Sequence, residues 1–183
     1  MRADARKNRD HLLAVAGAVI TEQGVDASLR DIARRADVGL ATLIRHFPTR
    51  EALLEALLRT NFDELAVKAT DLETSGEPDE ALASWLRDFV ACAHNYRGVI
   101  ELMVTAIEDP QSALHASCVA MRAAGTRLLT RAQAQGLARS DIDGTDLFAL
   151  AGSLAWLSDQ PSFAARTDHL FDVVVSAILR PGT

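Results

Sequence analysis

Residues 28–47 read SLRDIARRADVGLATLIRHF, and this stretch decides the fold. Ser28 is a residue type that caps helices by accepting an orphan backbone N–H, and Asp31, three residues on, comes close to a capping box. A short helix then extends to Ala36. The chain turns at Asp37-Val38-Gly39, and a second short helix runs from Leu40 to about His46 before Pro48 ends it. Two short helices joined by so tight a turn hold the second steeply against the first, on strict packing conditions. Ala33 has to be small where the helices approach, and Ile32, Val38, Leu43 and Phe47 have to be apolar to make a shared core. Leu43 and Phe47, four apart, share a helical face. The turn favours a residue with φ > 0, normally Gly; Asp37 tolerates that region better than most side chains.

Helix signals dominate on both sides. The first helix spans about residues 5–23, with an apolar stripe of Leu12, Leu13, Ala16, Val19 and Ile20, and Gly24 stops it. Thr49 caps a long helix reaching about Leu72, and residues 74–78 form a loop or boundary. Beyond it the pattern predicts helices near 79–95, 98–108, 111–135, 144–158 and 162–179. The expected fold is all-α: an N-terminal three-helix helix-turn-helix domain over residues 1–50, then a C-terminal helical bundle over residues 51–183, about nine helices in total.

Of the 183 residues, 49% are hydrophobic and 24% charged, the balance of a folded soluble protein. No apolar run reaches the length of a membrane span, and the opening MRADARKNRD lacks the apolar core of a secretory signal. Cys92 and Cys118 read as free thiols in a reducing cytosol, so a cytoplasmic protein with no membrane partner is expected. The net charge of −6 is unevenly distributed. Residues 1–60 hold ten Lys/Arg against eight Asp/Glu, and residues 61–183 hold nine against seventeen. That asymmetry suits a polyanionic partner at the N-terminal end alone.

The stretch from Ser28 through Pro48, Thr49, Arg50, Glu51, Ala52 and Leu53 resembles the signature of the tetracycline-repressor (TetR) family, and the resemblance extends over about residues 6–58. Downstream it holds only in helix number and length. It implies a sequence-specific DNA-binding transcriptional regulator, a repressor released from its operator by a small molecule. Residue by residue, it implies that Arg30 reaches a base and that Leu40, Ala41, Thr42 and Arg45 face the major groove, Arg45 reading guanine. Ser28, His46 and Arg50 would touch phosphates, Arg50 at the start of a helix whose free N–H groups favour an anion. Arg6 and Arg9 would add backbone contacts. Two departures stand out: Ile44 occupies a position where the family most often has a phosphate-binding Tyr, and Asp37 replaces Gly. Ile44 stays among the DNA-facing residues, with a hydrogen bond of about 1 kcal/mol missing.

The resemblance also implies an effector cavity between the middle helices and a homodimer through the last two. Trp85, Phe89, Met103, Met121 and Trp156 are candidate ligand contacts, joined by Tyr96, and would suit an apolar or aromatic effector; for any one of them taken alone, core packing stands ahead of ligand contact. Leu147, Leu150, Ala151, Leu154 and Leu157 form one stripe, with Ala149, Gly152, Ser153 and Ala155 keeping the rest of that helix small. Phe163, Leu170, Phe171, Val174, Ile178 and Leu179 form another, and two such helices from each chain would close a four-helix interface. A dimer carries two reading heads about 34 Å apart, matching a near-palindromic operator in double-stranded DNA.

No cofactor, metal or catalytic group is expected. His115 and Cys118 share a helical face, but Cys92 and His94, two apart, point to opposite sides, a poor arrangement for zinc. A nucleophile pair lacks a third group to orient a base. The alternatives are a dimeric small-molecule-binding protein with little DNA affinity, and an enzyme using His94 or His115.

Overall fold

The computed structural model describes residues 2–24, 26–96 and 107–179, with side chains from Lys7 onward. Eight α-helices are defined among them: α1 (Arg2–Gln23), α2 (Leu29–Arg35), α3 (Leu40–His46), α4 (Arg50–Thr74), α5 (Pro78–Asn95), α6 (His115–Ala134), α7 (Gly144–Ser158) and α8 (Thr167–Ile178), with a 3₁₀ turn at Ala164–Arg166. The all-α expectation holds; the only β pairing among the described residues is an isolated bridge between Ala138 and Leu179. The helix expected over 98–108 lies outside the described residues except for positions 107 and 108, which are helical. Met103 falls in the same gap.

Two boundaries differ from the sequence reading for local reasons. The helix expected from 111 starts at His115, because the Asp109 side chain accepts the Gln111 N–H at 2.9 Å and its carbonyl accepts the Ser112 N–H at 3.0 Å, which spends residues 110–114 in turns. The helix expected over 162–179 begins as the 3₁₀ turn and becomes α-helical only at Thr167.

The chain divides into two compact units, Met1–Thr60 and Asn61–Thr183, and α4 contributes residues to both. In the first, the predicted stripe of α1 is wholly interior: Leu12, Leu13, Ala16, Val19 and Ile20 are all buried. Each large apolar side chain buried in this way stabilises by roughly 1.5–3 kcal/mol. Gly24 ends α1 at φ 86°, its N–H bonded to the Ile20 carbonyl at 2.7 Å, a conformation that a Cβ would strain.

In the second unit α5 packs on α6 and α7, α6 on α7, and α8 on α7. Trp85 is the keystone of α5. Its ring stacks on Phe89 at 5.9 Å and its indole N–H donates to the Leu65 carbonyl at 2.9 Å, so its one polar atom is satisfied in the core. Gly125 of α6 faces that ring: a Cβ there would sit 2.6 Å from it. α7 opens with a full capping box. The Asp143 carboxylate accepts the N–H groups of Thr145 (2.7 Å) and Asp146 (3.1 Å), and the Asp146 carboxylate accepts the Asp143 N–H.

Candidate functional site

The helix-turn-helix is built by three local devices. Ser28 Oγ accepts the Arg30 N–H at 3.2 Å, which makes Ser28 the N-cap of α2. The capping box anticipated with Asp31 does not form. The Asp31 carboxylate is taken by Gln23 at 3.0 Å and by ion pairs with Arg34 and Arg35. The Arg34 hydrogen bond, then that from Gln23, holds the Asp31 carboxyl below the usual carboxylate range. At the other end of α2, Asp37 sits at φ 53°. Its N–H donates to the Arg34 carbonyl at 3.2 Å, while the Val38 N–H reaches back to the Ala33 carbonyl at 3.0 Å. That pair of bonds is a Schellman motif with Asp in the position usually held by Gly. The turn then aims α3 across α2, with Ile32, Ala33, Leu43 and Phe47 buried between them and Val38 half-buried at the edge.

The opposite face of α3 is open. Ala41, Ile44 and Arg45 are exposed, Ile44 by 42%, and Leu40, Thr42 and His46 are half-buried. Ser28 and Arg30 are exposed at the start of α2. Among the described residues Arg30 and Arg45 have no ion-pair or hydrogen-bond partner for their guanidinium groups. Arg34 and Arg35, by contrast, are engaged by Asp31 and, at 2.6 Å, Arg35 also by Glu22. The end of α3 is braced from α1: Asn8 Nδ2 lies 3.5 Å from His46 Nε2, and the Arg9 guanidinium sits 5.3 Å over the Phe47 ring. Arg9 therefore packs against the core of the head. The Arg6 side chain lies outside the described residues. Arg50, first residue of α4, donates to the Ala27 carbonyl at 2.8 Å.

The second unit holds an open cleft of about 630 Å³. Ile107, Phe148, Trp156 and Leu157 give it apolar walls, Gly152 keeps α7 low on one side, and Arg122 enters from α6. Of the candidate ligand contacts among the described residues, Trp156 alone lines it, 50% exposed. Trp85 and Phe89 are interior and border a void of about 10 Å³, too small for a ligand, which shares Arg122 and Phe148 with the cleft. Met121 is fully buried and Tyr96 nearly so, its hydroxyl accepting from Asn61 at 3.2 Å. The sequence reading missed Phe148 and Arg122. The signal for Arg122 was present: a lone cation within the small, apolar run of residues 119–125.

The two stripes foreseen for the last two helices are partly interior: Leu157, Leu170, Val174 and Leu179 are half-buried, and Leu150 and Phe163 are exposed. Leu147, Ala151, Leu154, Phe171 and Ile178 pack inside the unit. The apolar surface left exposed consists of Leu150 and Trp156 on α7, Phe163, and Val173 on α8.

His94 Nδ1 lies 3.0 Å from Ser158 Oγ and 3.2 Å from Asp159 Oδ1. Both oxygens approach the same ring nitrogen, so the three residues cannot relay a proton from Ser through His to Asp. Burial pushes the Cys92 thiol up to about 12 and the Cys118 thiol to about 11, which keeps both protonated and unreactive near neutrality. Among the described residues no three His, Cys, Asp or Glu side chains group as metal ligands, and no helix is long and apolar enough to cross a membrane.

A capped, Schellman-turned helix pair presenting uncommitted guanidinium groups, joined to a helical bundle with an open cleft, defines the class of helix-turn-helix regulators. Comparison with known proteins is specific. Residues 12–57 match the family of bacterial regulatory proteins described as tetR, and residues 77–179 match the C-terminal domain described as transcriptional regulator SbtR-like. A TetR transcriptional regulator from Streptomyces coelicolor is 36% identical, over 95% of this chain and 99% of its own, with a TM-score of 0.72. A TetR regulatory protein from Mycobacterium vanbaalenii is 30% identical, over 98% and 99%, with a TM-score of 0.69. The HTH-type transcriptional repressor KstR2 of Mycobacterium tuberculosis is 26% identical over 82% of this chain and 78% of its own. The chain belongs to the TetR family and is a DNA-binding transcriptional regulator.

Proposed function

We propose that the protein is a repressor that reads a near-palindromic operator as a homodimer and leaves it when a small apolar or aromatic molecule occupies the bundle cleft. The observation that carries this reading is the outward face of α3. Ala41, Ile44 and Arg45 are exposed, as is Arg30 at the start of α2, and neither arginine is neutralised by a carboxylate among the described residues. In this reading Leu40, Ala41, Thr42 and Arg45 meet base edges, and Ser28, Ile44, His46 and Arg50 lie along the phosphates. The last two helices and the segment between them pair with a second copy through Leu150, Phe163 and Val173, whose exposed apolar surface a partner would bury. Residues 1–50 then form the reading domain and residues 51–183 the binding and dimerisation domain, in a cytoplasmic protein. Release is a population shift: the effector has to bind the DNA-incompetent state more tightly than the competent one. α4, whose residues belong to both units, is the covalent lever.

Selection of bound duplexes from a random pool tests the reading, with sedimentation of the free protein alongside. A near-palindromic consensus and a dimer are expected. Recovery of no selective sequence from a dimeric protein would replace this reading with that of a small-molecule-binding protein with little DNA affinity.

A further inference from the structure

The cleft holds a cation that pairs with no carboxylate among the described residues. Among the described residues of the second unit, Arg87 meets Asp168 and Asp172, Arg127 meets Glu73, Arg139 meets Asp141, and Arg131 donates to the carbonyls of Leu72 and Gly76. Among the described residues, Arg122 has no carboxylate within ion-pair distance and no acceptor for its guanidinium. It is half-buried and lies 5.0 Å over the Phe148 ring, which supports the flat face of the guanidinium and leaves its N–H edge unspent. Asp143 is close enough for Arg122 to depress its carboxyl, but Oδ1 of that carboxylate accepts both cap hydrogen bonds of α7. The acid on the cleft itself is Glu108, which is exposed and therefore screened by water. A half-buried guanidinium fork in a mostly apolar wall, where Glu108, Thr145 and Ser153 are the other polar side chains, matches a planar carboxylate in geometry as well as charge.

We propose that the cleft takes a flat aromatic or alicyclic carboxylic acid, its carboxylate on Arg122 and its ring against Phe148 and Trp156. The assignment rests on the effector reading above and specifies the ligand class. The cavity of about 630 Å³ leaves room for a body of several fused rings. Phe148 has two tasks here: it presents a ring to the ligand and orients the fork that holds the acid.

The test uses the full chain and pairs of probes that differ only at the acid: benzoate, 2-naphthoate and anthracene-2-carboxylate, each against its neutral amide, titrated calorimetrically. At least one acid is expected to bind ten or more times more tightly than its amide. Arg122→Gln should abolish that preference while leaving the amide affinity unchanged, Arg122→Lys should restore part of it, and Glu108→Gln should strengthen the acid. Thermal melts followed by helicity check that each variant is folded, and the Lys variant keeps the test decisive if the Gln variant unfolds. Equal affinity of acid and amide, equal loss of both in Arg122→Gln, or no binding of any acid at millimolar concentration overturns the proposal. Operator release is scored separately. An acid that binds through Arg122 without releasing DNA overturns the effector reading and leaves the ligand class standing, whereas release driven equally by amides does the reverse.

Discussion

The Arg50 guanidinium donates to the Ala27 carbonyl at 2.8 Å, tying the first turn of α4 to the residue that precedes the α2 cap. The bond gives Arg50 a scaffolding task besides any contact with DNA. Arg50→Ala is expected to lower stability by about 1.5–3 kcal/mol, the range for a hydrogen bond with a charged donor. Affinity should fall on every DNA sequence by a similar factor, and the slope of log affinity against log salt should lessen by about one. Unfolding by urea and binding titrations across salt concentrations measure the two effects.

Arg45 should behave differently, because an exposed guanidinium with no partner among the described residues has its value at a base edge. Arg45→Ala should leave the melting temperature nearly unchanged and remove about 1–3 kcal/mol of discrimination at one base pair of the operator. Equal losses on all sequences would contradict a reading role. In the same titration Ile44→Tyr, which replaces an exposed apolar side chain with a hydroxyl donor, should gain on the order of 1 kcal/mol without changing sequence preference.

Asp37 occupies the left-handed region at φ 53° in order to close the Schellman turn. Asp37→Gly removes the Cβ penalty but loosens the unfolded chain, so a net gain of about 0.5–1 kcal/mol in unfolding free energy is expected. Asp37→Val, branched at Cβ, should instead lower stability by about 1–2 kcal/mol. Chemical denaturation of the two variants in parallel checks the sign of both changes.

The Asp143 cap links stability to pH. Hydrogen bonds from the Asp146 and Thr145 backbones depress its carboxyl. A group whose folded pKa is lowered stabilises fully above its unfolded value of about 3.9 and loses that contribution as the pH falls through the folded value. Asp143→Ala should therefore melt below the wild type at pH 7, and the gap should close as the pH is taken below 4. A gap that persists unchanged at pH 2.5 would mean the cap does not act through the carboxylate.

Gly125 is set by Trp85. A Cβ placed 2.6 Å from a rigid indole must displace it, so Gly125→Ala is expected to cost about 1–3 kcal/mol by overpacking. Loss of the Trp85 hydrogen bond to the Leu65 carbonyl would shift the tryptophan fluorescence, and unchanged emission would place the strain elsewhere.

What was legible in the sequence is what short-range rules govern. The Ser28 cap, the positive φ of Asp37, the span Leu40–His46 and the Gly24 stop each depend on a few neighbouring residues, and so does the interior stripe of α1. Periodicity also placed α7 at 144–158. It could not say which side of α7 faces inward, because that helix is apolar or small nearly all round and its orientation depends on the partners met by Leu147, Ala151 and Leu154. Asp31 shows the same limit. Its pairs with Arg34 and Arg35 lie within α2, but its bond from Gln23 forms only when α1 packs beside α2. That Arg122 meets no carboxylate among the described residues is likewise a property of the assembled bundle, since a charge has or lacks a counterion only once the chain has brought distant helices together.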